Sequence, residues 1–486
     1  MRLFWALLVA AGSVVPALGR QAERRPTSVL FLLADDQRAD TIAALGNEVI
    51  RTPNLDRLVQ QGFAFRSAYC MGSMEAAVCA PSRAMMLSGK SLFHLDRNVY
   101  EASDPDPLLP EQLRRAGRET FATGKWHNGS RWFERSFTDG GALLFGAMGP
   151  HRGFPMHDFD PRGRYGPGRA RPSTKFSSTA FADETIDFIE HRVGDAPFFA
   201  WVAFTAPHDP RTPPGAYREM YAPADMPVPE SFAPIHPFDN GDMQVRDEWP
   251  GCEPLVAHLH DEWLAPWPRT PEMVRTQTAA YYGMISHLDM EIGRVLDALE
   301  RSGRLEDTLI VFASDHGLSL GGHGLMGKQN LYDDSMRAPL VLCGPGVPHG
   351  SSDALVYLFD LYPTICELVG VEAPPSVEGR SLVPILRGER DAVRDSIFTA
   401  YLDVQRAVRD ERWKLIRYPL VNVTQLFDLE ADPHEVRDLS GEADRAPVLA
   451  RMFDLLRRER ERFGDRCVLF PPVERAAGRE GSNGDR

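Results

Sequence analysis

Cysteine is scarce in this chain, with six residues among 486. Small exported domains that depend on disulfides carry a much denser set of cysteines, so this fold must rely on a hydrophobic core. The six positions show no repeated spacing that would indicate a pairing: Cys70, Cys79, Cys252, Cys343, Cys366 and Cys467. The length of the chain favours a large domain with a smaller companion.

The chain also has few long apolar runs, and the strongest one lies at the N-terminus. Residues 3–15 are almost entirely apolar and follow Arg2, but a membrane-spanning helix needs about 20 such residues. The small residues Ala17 and Gly19 suit cleavage by a signal peptidase. We therefore predict a signal peptide over residues 1–19, export to the periplasm or the medium, and no stable membrane anchor.

Positive charge is in deficit, because 68 acidic residues outnumber 54 basic ones and the net charge is −14. Nucleic-acid binding is driven by Lys and Arg side chains, so we expect no nucleic-acid partner. One segment differs: residues 151–175 contain five arginines and a lysine against Asp158 and Asp160. This segment is either a solvated loop or a local site for anionic groups.

Short apolar strands alternate with helical patterns along most of the chain. The predicted strands are residues 28–34, 120–123, 198–204 and 308–313, and the longer predicted helices are residues 182–191 and 273–300. Further helices are expected from Pro53 and over residues 109–116. This alternation predicts an α/β protein with a largely parallel sheet.

The pattern changes after Pro384. The extended pieces there are short, and a helix follows them, which predicts a small antiparallel sheet with one helix: residues 397–401, 406–408, 413–418 and 447–463. We expect a catalytic domain over residues 26–385 and a C-terminal subdomain over residues 390–468. The polar, Gly-rich tail, residues 474–486, is expected to be disordered.

Polar side chains follow each predicted strand of the larger sheet. They are Asp35 and Asp36, Lys125 and His127, His208, and Asp315 and His316. Functional groups of parallel sheets gather beyond the carboxyl ends of the strands, so these residues are expected to converge. Carboxylate oxygens favour Ca²⁺ or Mg²⁺ over softer metals, and the histidine leaves zinc as a minor alternative.

Residues 79–83 read Cys-Ala-Pro-Ser-Arg and stand at the predicted start of a helix that ends before Gly89. Pro81 suits the first turn of a helix. Cys79 would then face free backbone N–H groups and the positive end of the helix dipole, which suits a tetrahedral oxyanion.

This segment, with Leu-Ser-Gly at residues 87–89, resembles the signature of the type I, formylglycine-dependent sulfatases of the alkaline phosphatase superfamily. Ser88 stands where the family more often has threonine. Further segments resemble the family in the same order along the chain: residues 35–37, 124–127, 207–210, 314–317, 324–328, 426–430 and 432–435. The resemblance covers nearly the whole mature chain.

The resemblance implies an alkaline-phosphatase-like fold, with a large, mostly parallel or mixed sheet between helices and a small C-terminal subdomain. It implies that a formylglycine-generating enzyme oxidises Cys79 to formylglycine (3-oxoalanine). It also implies one divalent cation, Ca²⁺ with Mg²⁺ as the alternative, held by Asp35, Asp36, residue 79, Asp315 and His316. Many family members have asparagine in place of His316.

The resemblance further assigns the substrate contacts and the catalytic groups. Lys125, Lys328 and His208 bind the sulfate group, and Arg83 steadies the hydrated formylglycine. One oxygen of the hydrate attacks sulfur, the alcohol leaves, and the second hydroxyl then collapses to the aldehyde and expels sulfate. His208 protonates the leaving oxygen, and His127 is the base in the collapse.

The expected function is hydrolysis of a sulfate ester, preferably on a saccharide because the basic segment suits further anionic groups. Choline sulfate and aryl sulfates stay open, since specificity is expected in loops such as residues 149–178 and 230–268. One alternative is a phosphonate monoester or phosphodiester hydrolase of the same superfamily. Another is a catalytically silent protein that binds sulfated carbohydrate. Asn128 and Asn422 stand in glycosylation patterns.

Overall fold

The computed structural model describes residues 27–96, 98–100, 105–146, 149–238 and 265–470. The predicted signal peptide, the predicted disordered tail and Cys252 lie outside these residues. No helix in the described part of the chain is long and apolar enough to cross a membrane.

The strands and helices of the described residues alternate over most of the chain. In chain order the strands are β1 Ser28–Asp35, β2 Phe63–Phe65, β3 Ala68–Tyr69, β4 Gly72–Ser73, β5 Glu119–Lys125, β6 Asp139–Leu144, β7 Pro155–Met156, β8 Arg171–Pro172, β9 Phe198–Pro207, β10 Thr308–Ser314, β11 Arg337–Ala338, β12 Leu340–Cys343, β13 Gly350–Ser352, β14 Val356–Tyr357, β15 Ile397–Tyr401, β16 Gln405–Arg409, β17 Trp413–Tyr418 and β18 Val423–Asp428. The α-helices are α1 Pro53–Gln61, α2 Cys79–Ser88, α3 Leu109–Arg115, α4 Ser130–Ser136, α5 Ser177–His191, α6 Pro271–Arg301, α7 Asp333–Met336, α8 Leu361–Leu368, α9 Val383–Leu386 and α10 Ala446–Phe463.

A mixed eight-stranded sheet forms the centre, in the order β13-β2-β12-β10-β1-β9-β5-β6. The five strands from β10 to β6 are parallel to one another, and β12 is antiparallel to both of its neighbours. The predicted α/β architecture with a largely parallel sheet is therefore confirmed. The four strands predicted for this sheet are present, and each is longer than expected.

Strand β1 shows why the sheet is central. Every residue of the strand is buried. Val29, Phe31 and Leu33 pack into one hydrophobic cluster, which includes residues of α2 and α3. The alternate residues Leu30 and Leu32 pack into a second cluster, with residues of α5 and α6. Helices on both faces explain why this strand is an unbroken apolar run, as parallel strands usually are.

Helix α5 begins five residues before its predicted start, at Ser177 instead of Ala182. Serine and threonine are weak helix formers, so the sequence gives little signal over residues 177–179. The Ser177 amide donates to the carbonyl of His151, and this contact comes from a distant loop.

The C-terminal sheet contains β15–β18 and one strand from elsewhere in the chain. Its order is β18-β17-β16-β15-β4. The last four strands are antiparallel neighbours, whereas β4 pairs in parallel with β15. The antiparallel sheet and its first three strands were predicted, and β18 was not. Since β4 ends six residues before Cys79, the C-terminal sheet supports the segment that leads to the signature cysteine.

A buried ion network links the C-terminal sheet to a small three-stranded sheet, β11-β3-β14. Asp333 accepts from Lys414 Nζ at 2.7 Å, from Arg409 Nη1 at 3.0 Å and from the Tyr69 hydroxyl at 2.7 Å. Lys414 and Arg409 lie on the C-terminal sheet, whereas Tyr69 lies on β3. Each of these residues is at least nine-tenths buried.

We expect Asp333→Ala to lower the free energy of unfolding by about 3–5 kcal/mol, because it leaves buried Arg409 without its acid and Lys414 with Glu435 alone. Asp353→Ala is the matched control. Asp353 pairs with Arg66 at 2.5 Å on the surface, and loss of such a pair costs about 1 kcal/mol or less. Thermal and denaturant unfolding of both variants measure the difference. Equal losses would contradict the assigned role of the network.

Candidate active site

The polar residues predicted at the strand ends do converge. Asp35 ends β1, Lys125 ends β5, His208 directly follows β9, and Asp315 directly follows β10. These four strands are neighbours in the sheet, so their carboxyl ends meet at one edge. Helix α2 presents Cys79, its first residue, at the same place.

Four buried side chains form a compact set of possible metal ligands. One atom from each of Asp35, Asp36, Cys79 and His316 lies within 4.8 Å of the other three. The two acids and the histidine are fully buried. Asp36 adopts a left-handed backbone conformation, with φ of 67°, which is uncommon for a residue other than glycine.

Lysines neutralise the two acids of this set. Lys125 Nζ donates to Asp35 Oδ2 at 2.5 Å, and Lys328 Nζ donates to Asp36 Oδ1 at 2.6 Å. Burial alone would raise the pKa of Asp35, but Lys125 and Arg83 hold it well below its usual range. Burial would lower the pKa of Lys328, and Asp36 holds it well above its usual value. Asp35 and Lys328 are therefore ionised.

Asp315 lies beside the four ligands rather than among them. Its Oδ2 accepts from Arg83 Nε at 3.0 Å, and its Oδ1 accepts from the Asp36 amide at 3.2 Å. His316 Nε2 lies 3.6 Å from the same carboxylate. Arg83 is fully buried, and its Nη1 donates to the Lys125 carbonyl at 2.6 Å. Arg83 thus joins the ends of β10 and β5.

The Cys79 thiol stands at the centre of these groups. Its sulfur lies 3.2 Å from His316 Nε2 and 3.2 Å from Lys328 Nζ. Asp36 Oδ1 is 3.9 Å away. Burial raises the pKa of the thiol well above its usual value, although Lys125 and Lys328 oppose this. As a cysteine, the residue stays protonated and is a weak nucleophile.

The two predicted catalytic histidines differ in their surroundings. Neither ring nitrogen of His127 has a hydrogen-bond partner among the described residues. Burial, with Lys125 and Arg83 nearby, lowers the pKa of His127 well below its usual value. His208 Nδ1 donates to the Asp209 carbonyl at 2.8 Å, and its Nε2 lies 3.8 Å from Asp36 Oδ2. Burial lowers the pKa of His208, against the effect of Asp36.

Several buried polar residues of this region have no role predicted from the sequence. His151 is the first residue of the basic segment, and its ring contacts the His208 carbonyl. Asn128 stands in a glycosylation pattern, but it is 1% exposed and its amide donates to the Ala80 carbonyl. The folded chain cannot carry a glycan there. Gln37 is fully buried without side-chain hydrogen bonds among the described residues. Single residues of this kind give no periodic signal.

The basic segment is largely neutralised by its own neighbours. Arg171 pairs with Asp158 at 2.6 Å and Arg164 pairs with Asp160 at 2.9 Å. Lys175 pairs with Asp183 on α5 at 2.5 Å. These contacts fit the interpretation as a solvated loop better than a dedicated site for anions.

The donor chemistry of the cluster fits a divalent cation. Two carboxylates, the side chain of residue 79 and His316 present their ligand atoms together, with Asp315 adjacent. Asp35 Oδ1 is buried and accepts no hydrogen bond from the described residues, so it has free coordination capacity. Carboxylate-rich sets of this kind favour hard cations. The five cysteines among the described residues are all free thiols.

A mixed sheet with a carboxylate cluster at its strand ends, facing the first residue of a helix, defines an alkaline-phosphatase-like hydrolase. A similar solved structure is described as a complex with its substrate D-glucosamine-2-N,6-O-disulfate; it has a TM-score of 0.74 at 22% identity, over 91% of this chain and 99% of that one. A phosphonate monoester hydrolase from Silicibacter pomeroyi has a TM-score of 0.68 at 25% identity, over 90% and 95%.

The sulfatase family model matches residues 27–371, and a model of the C-terminal region of N-sulphoglucosamine sulphohydrolase matches residues 321–462. The chain belongs to the sulfatase family and is a sulfuric ester hydrolase. It is 25% identical to an N-acetylglucosamine-6-O-sulfatase of Bacteroides thetaiotaomicron, over 94% of this chain and 91% of the relative. It is 29% identical to a choline-sulfatase of Rhizobium meliloti, over 87% and 83%. The predicted family and fold are confirmed.

Gly317, directly after His316, offers a test of how the cluster is held. A Cβ on Gly317 would stand 2.1 Å from the Asp334 carbonyl oxygen, so the backbone must shift. We expect added Ca²⁺ to raise Tm if the cluster binds it, and we expect Gly317→Ala to cost about 1–3 kcal/mol and to weaken that rise.

Gly441→Ala is the control, because a Cβ there meets no atom within 4 Å. Differential scanning fluorimetry with and without Ca²⁺ measures both effects. An unchanged Ca²⁺ response in Gly317→Ala would show that this turn does not position the ligands.

Proposed function

We propose that this enzyme hydrolyses sulfate esters of saccharides with a formylglycine made from Cys79 and one bound Ca²⁺. The observation that carries the proposal is the set of acids, histidine and lysines around the side chain of residue 79. The saccharide is supported by the relatives, since several are named as sulfatases of N-acetylglucosamine, including a human one at 27% identity. The basic segment, residues 151–175, suggested a saccharide substrate from the sequence but supports it weakly.

The cation would be held by Asp35, Asp36, residue 79, His316 and Asp315. When bound, it neutralises charge on the sulfate group and makes sulfur more open to attack. Carboxylate oxygens favour Ca²⁺, with Mg²⁺ as the alternative, and the nitrogen of His316 leaves zinc as a minor alternative. The fixed negative charge of a sulfate ester repels nucleophiles, so the site needs all its cations.

The aldehyde at residue 79, when hydrated, supplies a nucleophilic oxygen and a second hydroxyl whose collapse releases sulfate. The buried, protonated thiol supports this assignment, because unmodified Cys79 lacks the charge and the second oxygen. Arg83 would steady the hydrate, and its contacts with Asp315 and the Lys125 carbonyl hold it at the start of α2.

The two lysines would bind the sulfate oxygens. Lys328 Nζ lies 3.2 Å from the sulfur of Cys79. Lys125, at the end of β5, contacts Asp35. Both are buried, Lys125 at the end of β5 and Lys328 in the loop after β10, so their charges are held in place without reorganisation. In the structure they pair with Asp35 and Asp36, and the sulfate oxygens would be additional or replacement partners.

The histidines would move protons. His127 has two unpaired ring nitrogens and a lowered pKa, so it is neutral and can accept a proton. His208 is oriented by the bond from Nδ1 to the Asp209 carbonyl, which leaves Nε2 facing the cluster. To donate from Nε2 as well, the ring must carry a second proton, and the negative charge of Asp36 favours that charged form. In that state Nε2 is the atom that would donate to the leaving oxygen and contact the sulfate.

Maturation of Cys79 implies a formylglycine-generating enzyme as a partner, and the predicted signal peptide implies a periplasmic or secreted enzyme. The nearest alternative is a phosphonate monoester hydrolase, which the similarity to the Silicibacter pomeroyi enzyme favours. Both activities would use the same cluster, so the chemistry of the substrate must distinguish them.

We expect peptide mass spectrometry of the active enzyme to show an aldehyde at residue 79. Cys79→Ala should lower kcat by more than about 10³-fold, because it removes the nucleophile. Ser88→Ala is a control for damage to the helix, since the Ser88 hydroxyl donates to the Ala84 carbonyl within α2. Full activity with an unmodified cysteine would defeat the formylglycine assignment.

We expect kcat/KM to be higher for sulfated monosaccharides than for choline sulfate or for phosphonate and phosphodiester analogues. A panel of these esters, assayed for released sulfate, phosphate or phosphonate, measures the ranking. A preference for the phosphonate would support the alternative. If sulfate is released only from choline sulfate and aryl esters, the proposed saccharide substrate is wrong.

A further inference from the structure

His151 is a buried histidine that the reaction scheme above does not use. It is 3% exposed, and its ring lies against the segment that carries His208. Nε2 is 2.9 Å from the carbonyl oxygen of His208, and Nδ1 is 2.8 Å from the Ser177 hydroxyl. Both ring nitrogens thus have a partner, in contrast to those of His127.

The direction of these bonds follows from the groups involved. A carbonyl oxygen can only accept, so Nε2 carries the hydrogen and donates it to His208. Nδ1 of the neutral ring is then an acceptor and takes the hydrogen of Ser177. The Thr205 hydroxyl donates to the Ser177 oxygen at 2.8 Å. The hydrogen bonds therefore all point in one direction, from Thr205 through Ser177 and His151 to the backbone carbonyl of His208.

Burial keeps this chain intact. It lowers the pKa of His151 to about 4, so the ring stays neutral near pH 7 and Nδ1 stays an acceptor. The ring also stacks on Phe176 at 5.1 Å between centroids. The Ser177 amide donates to the His151 carbonyl at 2.8 Å, so backbone and side chain hold the same pair of residues together.

The hydrogen bond from His151 is made to the backbone of His208, which orients the His208 ring. The His208 amide donates to the Thr205 carbonyl at 3.0 Å, and the ring donates from Nδ1 to the Asp209 carbonyl. The His208 carbonyl lies between these two bonds, and His151 binds it. A shift of this carbonyl would rotate the peptide that orients Nε2 toward the leaving oxygen.

We propose that His151 is a positioning residue, which holds the backbone of His208 so that Nε2 meets the leaving-group oxygen. This inference rests on the proposed role of His208 as the general acid. It predicts that loss of His151 damages protonation of the leaving group more than binding of the sulfate, because the metal ligands and lysines lie on other segments.

His151→Phe tests this, because it keeps a ring against Phe176 and removes both hydrogen bonds. We expect kcat to fall about tenfold or more for a sugar or alkyl sulfate, whose alcohol needs a proton to leave, and less than about threefold for para-nitrophenyl sulfate. The slope of log kcat against the pKa of the leaving group should steepen, with KM little changed.

His151→Gln should restore most of the lost rate, because its side-chain amide can still donate to the His208 carbonyl. His287→Phe is the matched control: this buried histidine packs on the same Phe176 ring and contacts neither His208 nor the cluster among the described residues. It should lower Tm without changing the slope. If His151→Phe does not fold, Ser177→Ala, which leaves Nδ1 only the Thr205 hydroxyl at 3.2 Å, should steepen the slope by a smaller amount.

The outcomes separate this inference from the function on which it rests. His208→Asn should show the steepest slope of all. If it does, and His151→Phe loses activity equally on all esters, His151 is only structural and the inference is wrong. If His208→Asn itself shows no dependence on the leaving group, the acid is another residue, and the proposed role of His208 fails first.

Discussion

Buried charge is the constraint on which the rest of this structure depends. Asp35, Asp36 and Arg83 have no exposure to solvent, and an unpaired ion in such a place costs several kcal/mol. Each acid is therefore opposed by a cation from another segment: Asp35 by Lys125, Asp36 by Lys328, and Asp315 by Arg83. Such arrays add little stability compared with apolar packing. Their value is functional, because the same acids and lysines suit a metal cation and a sulfate anion.

The fold satisfies this constraint through its topology. Parallel neighbours β10, β1, β9 and β5 end at one edge, so residues far apart in sequence meet without long loops. The C-terminal sheet takes in β4 and thereby braces the chain just before Cys79. Unusual backbone conformations then aim the side chains: Asp36 and His127 both have a positive φ. Strain of this kind persists only where the surroundings enforce it, and here strands on both sides do so.

Much of this was predictable. The apolar runs of β1 and β10 predicted strands because both faces of a parallel sheet are covered, and the polar residues after them predicted a shared edge. The residues of the site proposed by resemblance do come together, although Asp315 faces Arg83 more closely than the other ligands. The basic segment had two interpretations, and its contacts favour the solvated loop, since Arg171 pairs with Asp158 and Arg164 with Asp160. His151 and Asn128 gave no signal, because an isolated buried polar residue looks like a surface one.

The sequence by itself determined the family, the α/β class, four strands of the central sheet and the chemical types of the groups at the strand ends, because these depend on local patterns and short motifs. The tertiary structure alone decided how those groups pair: which lysine opposes which acid, that Cys79 is buried against His316, and that His151 binds the His208 backbone. Pairing in a buried site depends on distances between strands and on the absence of water, and local sequence patterns determine neither.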